Sequence, residues 1–227
     1  MKQEHGELVT KGQFISFEGA DGSGKTTASK LFAQELERLG VPVLWTREPG
    51  GTEIGAQLRE LILSNAPVEG GIHGHTQLLM LLADRNEHLR QVVYPSTQRG
   101  VWVVTDRFID STYVLQGRLG GMANELAALE RVFPALFARP DLTVLMSCSD
   151  ETCAERAHWR GTNALDEHHA RSQDVNRKLH EHFSNLVVNF GVNSIVTIDA
   201  NRELDQVSAD VIQMAAKLAE AYHADKR

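Results

Sequence analysis

The stretch Gly19–Thr26, with the sequence Gly-Ala-Asp-Gly-Ser-Gly-Lys-Thr, decides the fold of this chain. It matches the phosphate-loop pattern G-x-x-x-x-G-K-[ST] without a mismatch. An apolar run at 13–18 predicts a buried strand before it, and helically spaced apolar residues follow it up to Gly40. This arrangement brings backbone N–H groups and a helix N-terminus to a phosphate. Lys25 is then placed to reach the β- and γ-phosphates, and Thr26 to offer its hydroxyl to Mg²⁺.

The composition bounds the class of protein. The chain has 227 residues, of which 42% are hydrophobic, and this suffices for one sizeable α/β domain. Its net charge of −7 argues against binding to a nucleic-acid polymer, since proteins that do so usually carry a basic excess. The two cysteines, Cys148 and Cys153, form no C-x-x-C pair. The sequence shows neither a signal segment nor an apolar run long enough to span a membrane. We therefore expect a cytoplasmic protein without a membrane partner or a disulfide framework.

Apolar runs alternate with helical patterns along the whole chain. The runs predict strands at 13–18, 41–46, 101–105, 142–146 and 194–198. The helical patterns after the first helix lie at 53–65, 75–94, 124–138, 172–190 and 203–222, with a further helix capped by Asp150. The predicted fold class is α/β, a five-stranded parallel sheet with helices on both faces, in a single domain over 1–227. Within it we expect a flexible tail at 1–11, a loop at 117–121 and a short lid at about 156–170.

One part of the predicted helix 75–94 is apolar on every face. It is the segment Leu78–Ala83, in which no polar residue occurs. A single core cannot cover all sides of such a helix. Either the helix crosses the middle of the domain or a second subunit covers one side, and we favour a homodimer.

The predicted strand 101–105 delivers Asp106 and Arg107 at its C-terminal end. Assembly ATPases usually carry Asp-Glu here, with the Glu activating water, and guanine-binding switches carry Asn-Lys-x-Asp, which this chain lacks. Asp106 joins Thr26 as a candidate ligand of Mg²⁺. Arg107 suits a second anionic group better than it suits water activation, and this favours transfer to a phosphate-bearing acceptor. A plain ion pair at the strand end is the alternative.

Other charged residues are candidates on weaker grounds. Asp21 lies inside the phosphate loop, where it would repel a triphosphate, so a sugar hydroxyl or a metal is its natural partner and solvent exposure the alternative. Arg156 and Arg160 share a helix face at the start of the expected lid, where mobile arginines would stabilise a transferring phosphoryl group. A solvated helix face is the alternative for both. Arg85 taken alone would by default pair with a neighbouring carboxylate at the surface.

Taken together, these motifs resemble the bacterial thymidylate kinase family over about residues 13–214. The resemblance is carried by the phosphate loop, Arg47–Thr52, Leu58-Arg59, Ala83–Arg85, Asp106–Phe108, Asp110–Thr112, Gln116-Gly117 and Pro140–Thr143. That family transfers the γ-phosphoryl group of ATP to dTMP, giving dTDP, with Mg²⁺ and usually as a homodimer. The resemblance implies a P-loop nucleoside monophosphate kinase fold, with ATP and Mg²⁺ as cofactors and nucleotides as partners.

The resemblance also implies roles for individual residues. The ATP site comprises Gly19, Gly22, Ser23, Gly24, Lys25, Thr26 and Thr27. The acceptor site comprises Asp21, Glu48, Arg59, Leu81, Arg85, Arg107, Ser111, Thr112, Leu115 and Gln116, with Arg59 and Arg107 on the phosphate and Arg85 and Thr112 on the pyrimidine edge. Gly22 occupies a position where the eukaryotic branch carries Arg, which points to catalytic arginines from the lid. The catalytic set is therefore Lys25, Arg107, Arg156 and Arg160.

Three positions depart from the family pattern. Leu81 stands where a Phe usually stacks on thymine, and Leu115 stands where a Tyr usually lies near the 2′ position of the sugar. In the expected lid, Leu165–Glu167 replaces a pattern in which Asp is normally followed by Arg. Losing a stacking ring costs roughly 1–3 kcal/mol of base binding by analogy with nucleic-acid stacking, while smaller side chains make room. We therefore hypothesise a relaxed acceptor pocket, for instance for a 5-substituted deoxyuridine monophosphate.

The sequence thus predicts ATP-dependent phosphorylation of a pyrimidine deoxynucleoside monophosphate, with dTMP first among acceptors. The alternatives are a kinase for a different or 5-modified deoxynucleoside monophosphate, a P-loop ATPase or switch, and a kinase-like protein that binds nucleotide without turnover. Turnover with different acceptors, and with none, separates these possibilities.

Overall fold

A computed structural model describes residues 11–63, 72–158, 175, 177–183 and 195–225. The strands are β1 (Phe14–Glu18), β2 (Val43–Arg47), β3 (Trp102–Asp106), β4 (Leu142–Ser147) and β5 (Ile195–Asp199). The first helices are α1 (Lys25–Arg38), α2 (Glu53–Leu63), α3 (Gly74–His88), α4 (Tyr94–Gln98) and α5 (Ile109–Thr112). The others are α6 (Ala123–Val132), α7 (Asp150–His158), α8 (177–183) and α9 (Leu204–Ala224). π-Helical turns at Leu89–Val93 and Tyr113–Leu119 extend α3 and α5, and a 3₁₀ turn lies at Pro134–Phe137.

The five strands form one parallel sheet in the order β2-β3-β1-β4-β5. The central strand β1 lies between β3 and β4, and Phe17 pairs with Asp106. The phosphate loop therefore leaves β1 beside the end of β3, where the order of strands along the chain reverses. Crevices at such carboxyl ends are where open α/β sheets bind ligands. The predicted α/β class and the five strands are confirmed.

Successive side chains of a strand point to opposite faces of the sheet, so they pack into two separate hydrophobic cores. Ile15 and Phe17 pack with α1 and α9 on one face, whereas Phe14 and Val103 pack with α3 on the other. Each face is thus covered by helices, and burial of these side chains fixes the register that aligns β1 with β3.

The apolar segment Leu78–Ala83 lies on α3, where some of its side chains are buried and others are exposed. Leu78 and Leu82 are 2% and 5% exposed, whereas Leu79 is 58% exposed. One core therefore leaves a side of α3 uncovered. Among the described residues, no helix is long and apolar enough to cross a membrane.

Three local predictions are wrong. The helix expected at 124–138 ends as α6 at Val132, because Pro134 disfavours a helical backbone at Phe133, and only the 3₁₀ turn Pro134–Phe137 follows. The expected loop 117–121 is π-helical as far as Leu119, because Gly117 serves close packing: a Cβ there would lie 2.9 Å from Leu126 Cδ1. The cap of α7 is Ser149 and not Asp150, since the Thr152 N–H donates to Ser149 Oγ at 3.2 Å. The tail up to residue 10, the ends of the helices expected at 53–65 and 172–190, and the expected lid beyond His158 lie outside the described residues.

Candidate active site

The phosphate loop links β1 directly to α1, and its backbone depends on glycine. Gly22 and Gly24 have φ angles of +93° and +85°, in the left-handed region that side chains disfavour. A Cβ on Gly22 would lie 2.2 Å from the carbonyl oxygen of Cys153, so α7 packs directly against the loop. The buried Ser23 Oγ has no hydrogen-bond partner in the described part of the chain. A buried hydroxyl with a proton to donate, at a helix N-terminus, fits a phosphate oxygen.

Asp21 joins two cations at the mouth of the loop. Its Oδ1 accepts hydrogen bonds from Lys25 Nζ at 2.9 Å and from Arg107 Nη2 at 2.6 Å. The charge of Lys25, with that of Arg107, holds the pKa of Asp21 well below its usual range. Burial and the charge of Arg107 lower the pKa of Lys25, against the opposing effect of Asp21. The Asp21 side chain is nonetheless 81% exposed, so water screens these pairs and leaves both cations available to a polyanion.

Thr26 and Asp106 meet where β3 reaches the loop. The Thr26 hydroxyl donates a short hydrogen bond to Asp106 Oδ2. Asp106 Oδ1 is buried and has no hydrogen-bond partner among the described residues. A hydroxyl and a carboxylate with a spare oxygen are the hard ligands that Mg²⁺ prefers, so these residues fit a magnesium ion.

A second set of polar side chains lies buried beyond β3; we call it the Glu48 network, and it comprises Thr46, Glu48, Arg85, His88 and Thr112. Arg85 donates from Nε to Glu48 Oε2 at 2.8 Å and from Nη2 to Thr112 Oγ1 at 2.9 Å. His88 contacts Glu48 Oε1 at 2.7 Å and Thr46 Oγ1 at 2.9 Å. Burial raises the pKa of Glu48, but Arg85 and His88 outweigh it and the net pKa is lowered. Arg85 is therefore not the surface residue of the default interpretation.

Positive charge gathers between the loop and the Glu48 network. Burial lowers the pKa of Arg59, and so do the nearby charges of Arg47 and Arg107. Arg59 also donates to the carbonyl oxygen of Pro49 at 2.8 Å. Arg59 is close enough to Arg47 and to Arg107 to be repelled by both, and an anion bound near these cations, for instance a phosphate monoester, would relieve that repulsion.

Arg156 lies in a cavity of about 320 Å³ beside the phosphate loop. Its Nη1 donates to the carbonyl oxygen of Ala200 at 2.8 Å and its Nη2 to that of Arg202 at 3.3 Å. The sequence analysis did not predict the other residues that line the cavity, which are Ala28, Leu31, Met146, Leu204, Val207, Ser208 and Val211. Residues three and four apart on α9 read as ordinary core from sequence, and only the fold shows that they face the loop.

Of the remaining predicted residues, Ser111 accepts a hydrogen bond from Arg107 Nη1 at 2.8 Å and donates one to Glu18 Oε2 at 2.5 Å. Ser111 and Gln116 are buried, and Leu81 is half-buried on α3. Leu115 is half-buried and packs against the larger core. Their roles stay predictions, as do those of Arg156 and of Arg160, which lies outside the described residues.

Two residues of the site went unnoticed in the sequence. His88 completes the Glu48 network, one helical turn after Asp84 on the same face of α3. Glu18 is fully buried at the end of β1 and contacts the turn after β3. The sequence feature that could have identified Glu18 is its charge, since it is the only charged residue of a strand in which every residue is buried.

A phosphate loop next to a second cluster of cationic side chains is the arrangement that a phosphate-loop nucleoside monophosphate kinase requires. A family model described as "Thymidylate kinase" matches residues 17–211. The chain is 36% identical over 201 residues to the thymidylate kinase of Mycoplasma capricolum, covering 88% of this chain and 93% of the relative. It is 38% identical over 213 residues to that of Hahella chejuensis, covering 93% and 100%. The chain belongs to the thymidylate kinase family.

Solved structures agree with this assignment. The crystal structure of thymidylate kinase from Ehrlichia chaffeensis superposes with a TM-score of 0.67 at 26% identity, covering 90% of this chain and 98% of that one. The chain therefore spans nearly the whole length of these relatives in both sequence and fold.

Proposed function

We propose that this protein transfers the γ-phosphoryl group of ATP to dTMP and releases ADP and dTDP. Membership of the thymidylate kinase family supports this reaction. The observation that carries it is the bond from Arg107, which follows β3, to Asp21 of the phosphate loop at 2.6 Å. This contact puts a cation suited to an acceptor phosphate next to the loop suited to a donor phosphate.

On the donor side, the glycine-rich loop and Lys25 bind the triphosphate. Thr26 and Asp106 would hold Mg²⁺, which supplies charge neutralisation on the phosphate oxygens when bound. The cavity lined by Arg156 and the apolar face of α9 is large enough for the nucleoside end of the donor. We retain Arg156 and Arg160 as the arginines that approach the transferring group when the donor is bound.

On the acceptor side, Arg59 and Arg107 hold the monophosphate in line with the donor. Arg85 and Thr112 read the pyrimidine edge, and the buried Arg85 Nη1, which has no partner among the described residues, supplies a donor for a base carbonyl. No general base is needed, because the attacking phosphate oxygen is already anionic. The protein's contribution is position, charge and exclusion of water.

The test is ADP formation from ATP and Mg²⁺ with dTMP, dUMP, 5-hydroxymethyl-dUMP, dCMP and dGMP, and with no acceptor. The proposal predicts the highest kcat/KM for dTMP. A preference for another monophosphate would assign specificity to Leu81 and Leu115, and Leu81→Phe should then restore dTMP. ADP formation that ignores the acceptor would instead indicate an ATPase, and no turnover at all a binding protein.

We also propose a homodimer. Exposed apolar side chains lie along the packed pair α2 and α3, namely Ile54, Leu61, Leu63 and Leu79, each at least 50% exposed. Exposed large apolar side chains that cluster on neighbouring helices are typical of an interface. Leu79→Asp should shift the molar mass measured by light scattering from dimer to monomer, whereas Ile212→Asp on α9 should not. Neither Cys148 nor Cys153 is part of a disulfide, and reduced cysteines suit the cytoplasm, which we propose as the compartment.

A further inference from the structure

Glu18 lies between the donor and acceptor sites without belonging to either. It is the last residue of β1, directly before the phosphate loop, and its side chain is fully buried. Oε1 accepts the backbone N–H of Phe108 at 2.8 Å, and Oε2 accepts the hydroxyl of Ser111 at 2.5 Å. One carboxylate therefore fixes both the turn after β3 and the first turn of α5.

The contact with Ser111 sets the direction of a hydrogen-bond relay. Arg107 donates from Nη1 to Ser111 Oγ at 2.8 Å. Because the Ser111 hydroxyl proton points to Glu18, an oxygen lone pair faces Arg107. The other terminal nitrogen of Arg107 donates to Asp21 at 2.6 Å, so the guanidinium is held at both ends.

The backbone of Arg107 also needs support. Its φ angle is +72°, a left-handed conformation that is strained for a residue with a side chain. Its N–H donates to the carbonyl oxygen of Phe17 at 2.9 Å, and the next N–H, of Phe108, is the one that Glu18 accepts. Strained residues persist where neighbouring contacts over-determine them, and Glu18 supplies such a contact.

We propose that Glu18 is a positioning residue for phosphoryl transfer: through Ser111 and the Phe108 N–H, its carboxylate aims the Arg107 guanidinium at the acceptor phosphate. It does so without touching a nucleotide. This inference rests on the proposed kinase function and names the group that sets the geometry of its acceptor arginine.

The charge on Glu18 matters to the relay. Burial and the charge of Asp110 raise the pKa of Glu18 to about 7, against the lowering effects of Ser111, Arg107 and Phe108. Asp110 is itself paired with Arg139 and His182, so these groups also act on the cluster. A protonated Glu18 would donate to Ser111 and turn the hydroxyl proton towards Arg107, which cannot accept it. Acidification through this range should therefore weaken binding of the acceptor.

The test is Glu18→Gln, which keeps the shape and replaces Oε2 by a donor. We expect KM for dTMP to rise and kcat to fall by about tenfold each, with KM for ATP unchanged. The acid-side decline of kcat/KM for dTMP should flatten. Glu37→Gln makes the same change at an exposed position of α1 and should leave every parameter at its wild-type value.

Ser111→Ala tests the route of the effect. The Glu18→Gln change should have little further consequence in a Ser111→Ala background, because the relay is already cut. If Glu18→Gln does not fold, Ser111→Ala carries the test, with the same rise in KM for dTMP and unchanged KM for ATP expected.

Unchanged KM for dTMP in the folded Glu18→Gln protein, or in Ser111→Ala alone, would overturn the inference. So would an equal loss towards ATP and dTMP, or additive effects in the double variant, since either indicates general damage. A wild-type protein that does not phosphorylate dTMP would instead defeat the proposed function, which the same assay reports separately.

Discussion

The proposed donor and acceptor sides of this site are built from different parts of the chain. The donor side is mostly backbone: a loop of eight residues with glycines at φ +93° and +85°, against a largely apolar cavity wall. The acceptor side is mostly side chain, since the Glu48 network joins groups from β2, α3, α5 and the turn after β2. Backbone donors suit any phosphate, whereas a fixed set of side chains distinguishes one acceptor from another.

The largest effect expected on the donor side comes from Lys25→Ala. We expect phosphoryl transfer to fall about a thousandfold or more, because the charge that stabilises the transferring group is removed. The melting temperature should stay close to wild type, since Lys25 pairs only with an exposed carboxylate and a carbonyl oxygen in the described structure. Lys30→Ala, at an exposed position of the same helix, is the matched control. Retained turnover in Lys25→Ala would contradict the donor assignment.

The acceptor side should respond in stability as well as in activity. Arg85→Met leaves Glu48, whose side chain is 4% exposed, without its main cation. Breaking a buried ion pair in this way costs about 3–5 kcal/mol, so chemical denaturation should show a large loss. Binding of ATP should change little in protein that stays folded. Arg90→Met, at an exposed position of the turn that extends α3, should cost almost nothing, and equal losses in both variants would count against the network.

Substitution of Gly22 and Gly24 by Ala distinguishes the cost of a left-handed backbone from the cost of a steric clash. Ala at Gly24 meets no atom within 4 Å, so it should cost about 1 kcal/mol for its left-handed backbone alone. Ala at Gly22 also collides with the Cys153 carbonyl oxygen at 2.2 Å and must displace α7 or the loop. Thermal unfolding of the proteins without nucleotide should rank Gly22→Ala clearly below Gly24→Ala. Equal melting temperatures would mean that α7 does not pack against the loop.

The last prediction concerns an effect on stability that depends on pH, at Asp84, which accepts the N–H of Gly50 at 2.9 Å. Burial and the charge of Glu48 raise its pKa to about 6, above the 3.8 of a free carboxyl. Folding therefore favours the protonated form. Stability is lost as the pH rises from 3.8 to about 6, and the full cost persists at higher pH, at about 1.4 kcal/mol for each unit of difference in pKa. Asp84→Asn should gain stability relative to wild type at pH 8 and lose that advantage as the pH falls towards 4. A difference in melting temperature that is constant with pH would refute this.

The difference between a site built from backbone and one built from side chains also explains which features could be predicted from the sequence. A backbone site is encoded by contiguous residues, so Gly19–Thr26 predicted the loop, the strand before it and the helix after it correctly. The apolar runs fixed the sheet, because a buried parallel strand has few alternatives.

The features that the sequence did not reveal depend on how segments of the chain meet in space. Glu18 and Phe108 are 90 residues apart, and no local pattern links them. Gly117 was expected in a loop because glycine often marks a turn, yet here it allows close packing against Leu126. Ser149 and Asp150 are both good caps in sequence, and only the position of the first helical turn decides between them.

Phosphoryl transfer from ATP to dTMP is tested most directly by following both products in one experiment. Phosphorus NMR of wild-type protein with ATP, Mg²⁺ and dTMP should show ADP and dTDP rising in equal amounts, with no inorganic phosphate and no reaction when dTMP is left out. Release of ADP together with inorganic phosphate, at a rate that does not depend on dTMP, would contradict the claim that the phosphate loop and the Glu48 network form one phosphotransfer site.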